Sequence, residues 1–451
     1  MARKRSTHPN VIVFFTDQQR WDTTGVHGNP LGLTPNFDRM AQQGTHAFNA
    51  FTCQPVCAPA RASLQTGLYA TETGVFRNGL ALASETRTLA HHFGEAGYRT
   101  AYIGKWHLAD QDPIPEHQQG GYEYWLGSNL LEFTSEPYNT VMYDKKGSPV
   151  KLPGYRVDAL TDEAIRYIDA HQDEPFYMFL SFLEPHHQNH VDDYVPPEGY
   201  REPYTGRWVP PDLAALGGSA HQHLGGYYGI VKRLDEALGR LLDALKSLGL
   251  SDDTIVLYTS DHGSHFKTRN SEYKRSCHES SIRVPTALQG PGFEAGGQVR
   301  QLVSLVDLPP TLLDAAGLPI PEDMQGRSIL PLLGGVKAGW PGEVFVQISE
   351  AQVGRAVRTH RWKYSVVAPD KSGWGDASAD HYVEEFLYDL LADPYELTNL
   401  IGLASHQQVA SVMRERLIQR MVLAGEDRPV IEQVEVRPSG QRRVSPEEAL
   451  T

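Results

Sequence analysis

Four short apolar runs in this 451-residue chain end abruptly in charged or metal-ligating side chains, and that repetition restricts the fold more than any other feature. Val11-Ile12-Val13-Phe14-Phe15 leads into Thr16-Asp17-Gln18-Gln19, and Arg99-Thr100-Ala101-Tyr102-Ile103 into Gly104-Lys105-Trp106-His107. The run 176–183 leads into Glu184-Pro185-His186-His187, and Thr254-Ile255-Val256-Leu257-Tyr258 into Thr259-Ser260-Asp261-His262-Gly263. Continuous rather than alternating apolar runs mark strands covered on both faces. Helix-type stretches at 89–96, 159–171 and 229–248 lie between them. The expected fold class is therefore α/β, a large doubly wound and mostly parallel sheet flanked by helices. In such sheets the ligand crevice lies beyond the carboxyl ends of the strands. Asp17, Lys105, His107, His186, Asp261 and His262 would then converge. Each alone could be an ordinary loop residue; four strand ends of one kind make that reading poor.

Two irregular stretches, 110–155 and 186–226, read as inserted loops, the second rich in Pro, Gly and His. Long loops of this kind tend to shape function. The expected organisation is a catalytic α/β domain over 1–340 and a smaller α+β C-terminal subdomain over 344–451. The latter would contain short strands as far as Asp389, a helix near 406–423, and a polar tail over 425–451 that is an extended arm or disordered.

Cys57 opens the run Cys57-Ala58-Pro59-Ala60-Arg61-Ala62-Ser63-Leu64-Gln65-Thr66-Gly67. A thiol just before a Pro places it at the first turn of a helix, whose positive end and Arg61 would favour an anionic or oxygen-rich group. A lone Cys is as often a small buried hydrophobe. Asp17 and Asp261, with Gln18 and His262 beside them, suit a hard divalent cation with oxygen ligands; helix capping is the bland alternative for the two Asp. From the residues alone the expectation is a metal-assisted hydrolase.

The eleven-residue run resembles the signature of the type I, formylglycine-dependent sulfatases of the alkaline phosphatase-like superfamily. Further similarity lies in Thr34-Pro35-Asn36-Phe37-Asp38, in Lys274-Arg275-Ser276-Cys277-His278-Glu279-Ser280-Ser281-Ile282-Arg283-Val284-Pro285, in Leu305-Val306-Asp307-Leu308-Pro309-Pro310-Thr311 and in Tyr388-Asp389-Leu390. The resemblance implies that Cys57 becomes formylglycine, whose hydrate is the nucleophile, through a formylglycine-generating maturation enzyme. It implies one divalent cation on Asp17, Gln18, residue 57, Asp261 and His262. Ca²⁺ is favoured, with Mg²⁺ or Mn²⁺ also open, because Gln18 and His262 replace a second Asp and an Asn common in the family. Arg61, Lys105 and Lys274 would surround the transferring sulfuryl oxygens, and His107 and His186 would move protons. Asn78 is a weaker candidate near the nucleophile. His278 is either a substrate contact or a packing residue; His190, His221 and His223 are expected to be loop residues.

The implied activity is hydrolysis of an alkyl or aryl sulfate, with a sulfated carbohydrate as the favoured substrate. A phosphonate monoester or phosphodiester hydrolase of the same superfamily is the nearest rival. A non-catalytic binder of sulfated ligands would have lost Cys57, Asp17 or Asp261, and all three are present. An unmodified thiol enzyme is chemically open. The net charge of -14 argues against nucleic acid or an anionic membrane as partner. A homo-oligomer is compatible with the sequence. Cys53, Cys57 and Cys277 are too few for a disulfide framework. The basic start leads into only the apolar residues 11–15, too short for a leader or a membrane span, so a cytoplasmic location is expected.

Overall fold

The computed structural model describes residues 8–294 and 296–450; the basic start that bears on location lies outside this range. Among the described residues, no helix is long and apolar enough to cross a membrane. Ten strands form the main sheet: β1 (Asn10–Thr16), β2 (Thr45–Phe51), β3 (Arg99–Lys105), β4 (Tyr124–Ser128), β5 (Thr140–Asp144), β6 (Pro149–Leu152), β7 (Phe176–Ser181), β8 (Thr254–Ser260), β9 (Ala287–Gln289) and β10 (Gly297–Ser304). Their order is β10-β2-β9-β8-β1-β7-β3-β4-β5-β6. The central block β8-β1-β7-β3-β4 is wholly parallel. Strand β9 and the β5–β6 hairpin run antiparallel to their neighbours.

The alternation of side chains divides β1 between two cores. Ile12 and Phe14 pack with the helices Arg156–Ala170 and Ala220–Ser247 on one face. Val11, Val13 and Phe15 pack on the other with α2 (Cys57–Thr66), which follows α1 (Pro35–Gln43) in the chain, and with Leu89–Glu95. Each such fully buried apolar side chain contributes about 1.5–3 kcal/mol. This two-sided burial is why the strand reads as an unbroken apolar run.

Two expectations are corrected, and of the two alternatives for the tail the structure shows the arm. The stretch 110–155 is largely regular, because it supplies β4, β5 and β6 and widens the sheet. The helix expected at 229–248 begins nine residues earlier, at Ala220. Within that helix Gly226 allows close approach: a Cβ on it would lie 2.4 Å from the Tyr194 carbonyl oxygen. The tail is an ordered arm. Val430–Glu432 pairs with the C-terminal sheet, and Trp362 Nε1 donates to Glu448 O at 2.7 Å.

The second sheet comprises β11 (Glu343–Ile348), β12 (Gly354–Thr359), β13 (Trp362–Val367), β14 (His381–Asp389) and β15 (Val430–Glu432), covered by the helix Gln407–Leu423. It is fastened to the main body at several points. Val344, Val346 and Ile348 share a core with Phe51 and Ile282. Gln347 N donates to Cys53 O at 2.8 Å, and Gln54 Nε2 donates to Ser349 Oγ at 2.7 Å. Glu279 meets Arg358 at 3.2 Å and Lys363 at 2.8 Å.

Candidate active site

The carboxyl ends of β1, β3, β7 and β8 meet at the N-terminus of α2. Asp17 follows β1, Lys105 ends β3, Ser181 ends β7, and Asp261 and His262 follow β8. Cys57 is the first residue of α2 and is 1 % exposed. One donor atom from each of Asp17, Cys57, Asp261 and His262 lies within 4.8 Å of the others. Cys57 Sγ is 3.6 Å from Asp17 Oδ1 and 3.3 Å from His262 Nε2. Here the sulfur marks where an oxygen would stand in a formylglycine.

These groups fit a hard cation. His262 Nδ1 donates to Gly263 O at 2.9 Å, which leaves Nε2 with a lone pair facing the cluster. Burial above all lowers the His262 pKa to about 4, so the ring stays neutral. Gln18, with φ of 68°, gives its Nε2 to Tyr194 Oη at 3.0 Å, so Oε1 is buried without a hydrogen-bond partner. Asp261 Oδ2 is likewise without one. Burial, then the charge of Asp17, pushes Asp261 up to about 7. Two carboxylates and two unsatisfied oxygens in a dry pocket are the electrostatic problem that a divalent cation solves.

A layer of cations stands behind the acids. Arg61 Nη2 reaches Asp17 Oδ2 at 2.9 Å and Asp261 Oδ2 at 3.5 Å. Its Nη1 donates to Lys105 O at 2.8 Å and Ser181 Oγ at 2.7 Å. Lys105 Nζ bridges Asp17 Oδ2 at 2.9 Å and Glu132 Oε1 at 3.0 Å. Burial alone would raise Asp17, but the charges of Lys105, Arg61 and Lys274 hold it well below the usual carboxylate range. Lys274 approaches from the open side, its Nζ 2.8 Å from Cys57 Sγ and 3.3 Å from His186 Nε2. Burial, then Asp17, raises the Cys57 thiol above its ordinary pKa despite those lysines, which disfavours a thiolate nucleophile.

The open side is a cavity of about 370 Å³ lined by Cys57, Asn78, His107, Glu132, His186 and Lys274 among others. His107 has φ of 61°, and its Nδ1 is buried without a partner. Its backbone is held by Trp106, which packs against Tyr102, Tyr122 and Trp125. His186 Nδ1 donates to the His187 carbonyl at 2.6 Å, so Nε2 accepts from Lys274. Burial first, then Lys105 for His107 and Lys274 for His186, lowers both pKa values and keeps both rings neutral.

Every sequence-derived site residue is in this assembly, but Arg61 and Lys105 lie behind the acids rather than on the cavity wall. Asn78 Oδ1 accepts from Ala58 N at 3.0 Å, which fixes the first turn of α2. His278 is a packing residue at the foot of the second sheet, its Nε2 3.1 Å from Tyr388 Oη. His190 is a half-exposed loop residue beside Glu136, but His221 and His223, expected in a loop, lie in the first turn of the helix Ala220–Ser247, the former exposed and the latter buried 3.3 Å from Tyr273 Oη. Glu132 was missed, although a single acid inside Leu130-Leu131-Glu132-Phe133 was a signal. Ser181, Glu350 and Trp374 gave none.

Comparison with known proteins identifies the family and the fold. The Sulfatase family model matches residues 9–318, and the model for the C-terminal region of N-sulphoglucosamine sulphohydrolase matches residues 271–422. An ulvan-active sulfatase of Formosa agariphila is 30% identical over 444 residues, covering 93% of this chain and 82% of its own. A putative sulfatase of Bacteroides fragilis superposes with a TM-score of 0.82 at 24% identity, covering 94% of this chain and 98% of its own. A protein solved with its substrate D-glucosamine-2-N,6-O-disulfate gives 0.78 at 24% identity, covering 94% and 99%. The phosphonate monoester hydrolase of Agrobacterium radiobacter gives 0.71 at 25% identity, covering 92% and 96%. With a family model spanning about two thirds of the sequence and a relative 30% identical over 93% of it, the chain belongs to the sulfatase family and is a hydrolase of sulfuric esters.

Proposed function

We propose that the protein hydrolyses a sulfate ester of a saccharide, with residue 57 matured to formylglycine and one divalent cation held by Asp17, Gln18, residue 57, Asp261 and His262. The observation that carries this reading is the meeting of Lys274 Nζ, His186 and residue 57 at the floor of an open cavity, against a buried acid set with unsatisfied oxygens. A cavity of about 370 Å³ falls in the range of small-ligand sites; one relative is an ulvan-active sulfatase, and one structural neighbour was solved with its substrate D-glucosamine-2-N,6-O-disulfate, a sulfated sugar. Ca²⁺ is the favoured ion, because most of the donors are hard oxygens; the imidazole of His262 keeps Mg²⁺ and Mn²⁺ in the set to be tested.

When present, formylglycine hydrate supplies an oxygen nucleophile and the cation polarises a sulfate oxygen. The chain's own residues do the rest. Lys274 donates to the sulfuryl group from the open side, where its charge meets the negative charge carried by the transferring oxygens. Arg61 and Lys105 keep Asp17 ionised and fixed rather than touching substrate. His107 and His186 are both on the cavity wall and both neutral at rest, so one can accept the proton released at residue 57 and the imidazolium so formed can pass a proton on to the leaving alcohol. Asn78 holds the first turn of α2 so that residue 57 points at this array. Atoms balance as ester plus water giving alcohol and hydrogen sulfate.

The test is peptide mass spectrometry across residue 57 of protein co-expressed with a formylglycine-generating enzyme, paired with turnover of 4-nitrophenyl sulfate. An aldehyde together with turnover is expected; an intact thiol in an active enzyme would overturn the nucleophile. A phosphonate monoester or phosphodiester hydrolase is the second reading. It is favoured by Gln18 and His262, which leave the cation site with only two carboxylates, and by the phosphonate monoester hydrolase among the structural neighbours. A higher kcat/KM on 4-nitrophenyl phenylphosphonate than on 4-nitrophenyl sulfate would select it.

A further inference from the structure

The mouth of the cavity carries charge that the sulfate-handling residues do not use. Arg77 lines one side. Its guanidinium donates only Nη1 to Asn78 O at 2.9 Å, its Nε is buried without a partner, and among the described residues no carboxylate lies within ion-pair distance of it. Arg275 lines the cavity as well, in a left-handed conformation with φ of 72°. It is held by Glu350 at 2.6 Å and by Glu272 at 3.5 Å. Both guanidinium carbons sit 5.7 Å from the centre of the Trp374 ring. Trp374 reaches the mouth from the second sheet's loop and is 48% exposed.

An arginine without an acid is unremarkable on an open surface. This one is packed against an aromatic ring, beside a second arginine, in the wall of the cavity that holds residue 57, on a chain whose net charge is -14. Stacking on Trp374 restricts the rotamers of Arg77 before any ligand arrives, so less freedom is lost on binding. A planar guanidinium with open N–H groups matches a carboxylate or a sulfate bidentately.

We propose that the cavity mouth is an anion subsite in which Arg77, backed by Trp374 and Arg275, binds a second negative group on the leaving alcohol. The substrate class is thereby narrowed to dianionic esters: a saccharide sulfate that also bears a carboxylate or a further sulfate. This rests on the sulfatase reading above.

The experiment compares kcat/KM for aryl sulfates that differ only in one meta or para substituent: carboxylate or carboxymethyl, sulfonate, or neutral carboxamide. Mature wild-type enzyme is set against Arg77→Gln and Trp374→Ala, with thermal melting to confirm that each variant folds. The ratio of anionic to neutral probe should fall about ten- to a hundredfold in Arg77→Gln, mostly through KM. Its size with carboxylate against sulfonate tells which anion the subsite prefers. A ratio that Arg77→Gln leaves in place, or equal loss on charged and neutral probes, overturns the subsite while the sulfatase reading stands. Absence of turnover on every probe, 4-nitrophenyl sulfate included, overturns both.

Discussion

Gly104 is the position where a single methyl group should do the most damage to the site without touching it. It precedes Lys105 at the end of β3, with φ of 118°, and an added Cβ would lie 1.7 Å from the Ser181 carbonyl oxygen of β7. Real Cβ contacts stay beyond 3.0 Å, so the two strand ends must part by ~1.3 Å, the difference of those distances. The backbone conformation adds about 1–3 kcal/mol of strain for a non-glycine residue, and forced repacking about 1–3 kcal/mol. Gly104→Ala should therefore lose ~2–6 kcal/mol. The same displacement pulls on Lys105 Nζ, 2.9 Å from Asp17, and on Ser181 Oγ, 2.7 Å from Arg61. A misplacement of about 1 Å in a catalytic array costs on the order of a hundredfold in rate. Urea denaturation and kcat on 4-nitrophenyl sulfate measure the two effects. Gly74→Ala is the control, because Gly74 has φ of 72° but open space around its Cβ; it should show about 1 kcal/mol of strain and no rate effect. A Gly104→Ala enzyme within threefold of wild-type kcat, and no less stable than Gly74→Ala, would refute the reasoning.

Arg61→Leu removes a guanidinium bonded to Asp17, Lys105 O and Ser181 in a dry setting. Loss of about 3–5 kcal/mol in urea denaturation in chelator is expected, and a smaller loss with saturating Ca²⁺, which replaces the countercharge. Exhaustive chelation should abolish turnover of mature enzyme and Ca²⁺ should restore it; full activity in chelator would remove the cation from the account. His107→Ala and His186→Ala should be separable on a series of phenyl sulfates. The residue that protonates the leaving alcohol costs most with poor leaving groups, and equal losses across the series would assign both to binding.

The central sheet was legible because β1, β3, β7 and β8 are covered on both faces, and a doubly covered strand has no choice but to be apolar throughout. The candidate site residues stand out for the same reason: side chains such as Asp17 and His262 appear where an apolar run stops. What escaped was whatever depends on contact between distant segments. The glycines at 226 and 229 let the Tyr194 and Tyr200 carbonyls approach, and Gly225 makes room for Thr205, contacts that no local pattern announces. The β5–β6 hairpin sits at the sheet edge, where half-exposed residues blur the pattern. Trp374 lies between glycines in a loop far along the chain, and only folding brings it to Arg77.

The second sheet's hold on the first turn of α2 has a practical consequence for anyone redesigning the enzyme. Glu350 accepts from Asn78 N at 2.7 Å while Asn78 positions Ala58, and Gln347 and Ser349 bind the segment just before Cys57. The stretch 347–350 therefore supports the turn that carries Cys57, and the loop bearing Trp374 supports it in part, since Glu350 N donates to Gly373 O at 2.8 Å. A library aimed at new substrates should randomise Trp374 and leave Gly373 and those four positions alone. Grafting a whole C-terminal subdomain from a relative would change selectivity and disturb the nucleophile in one stroke.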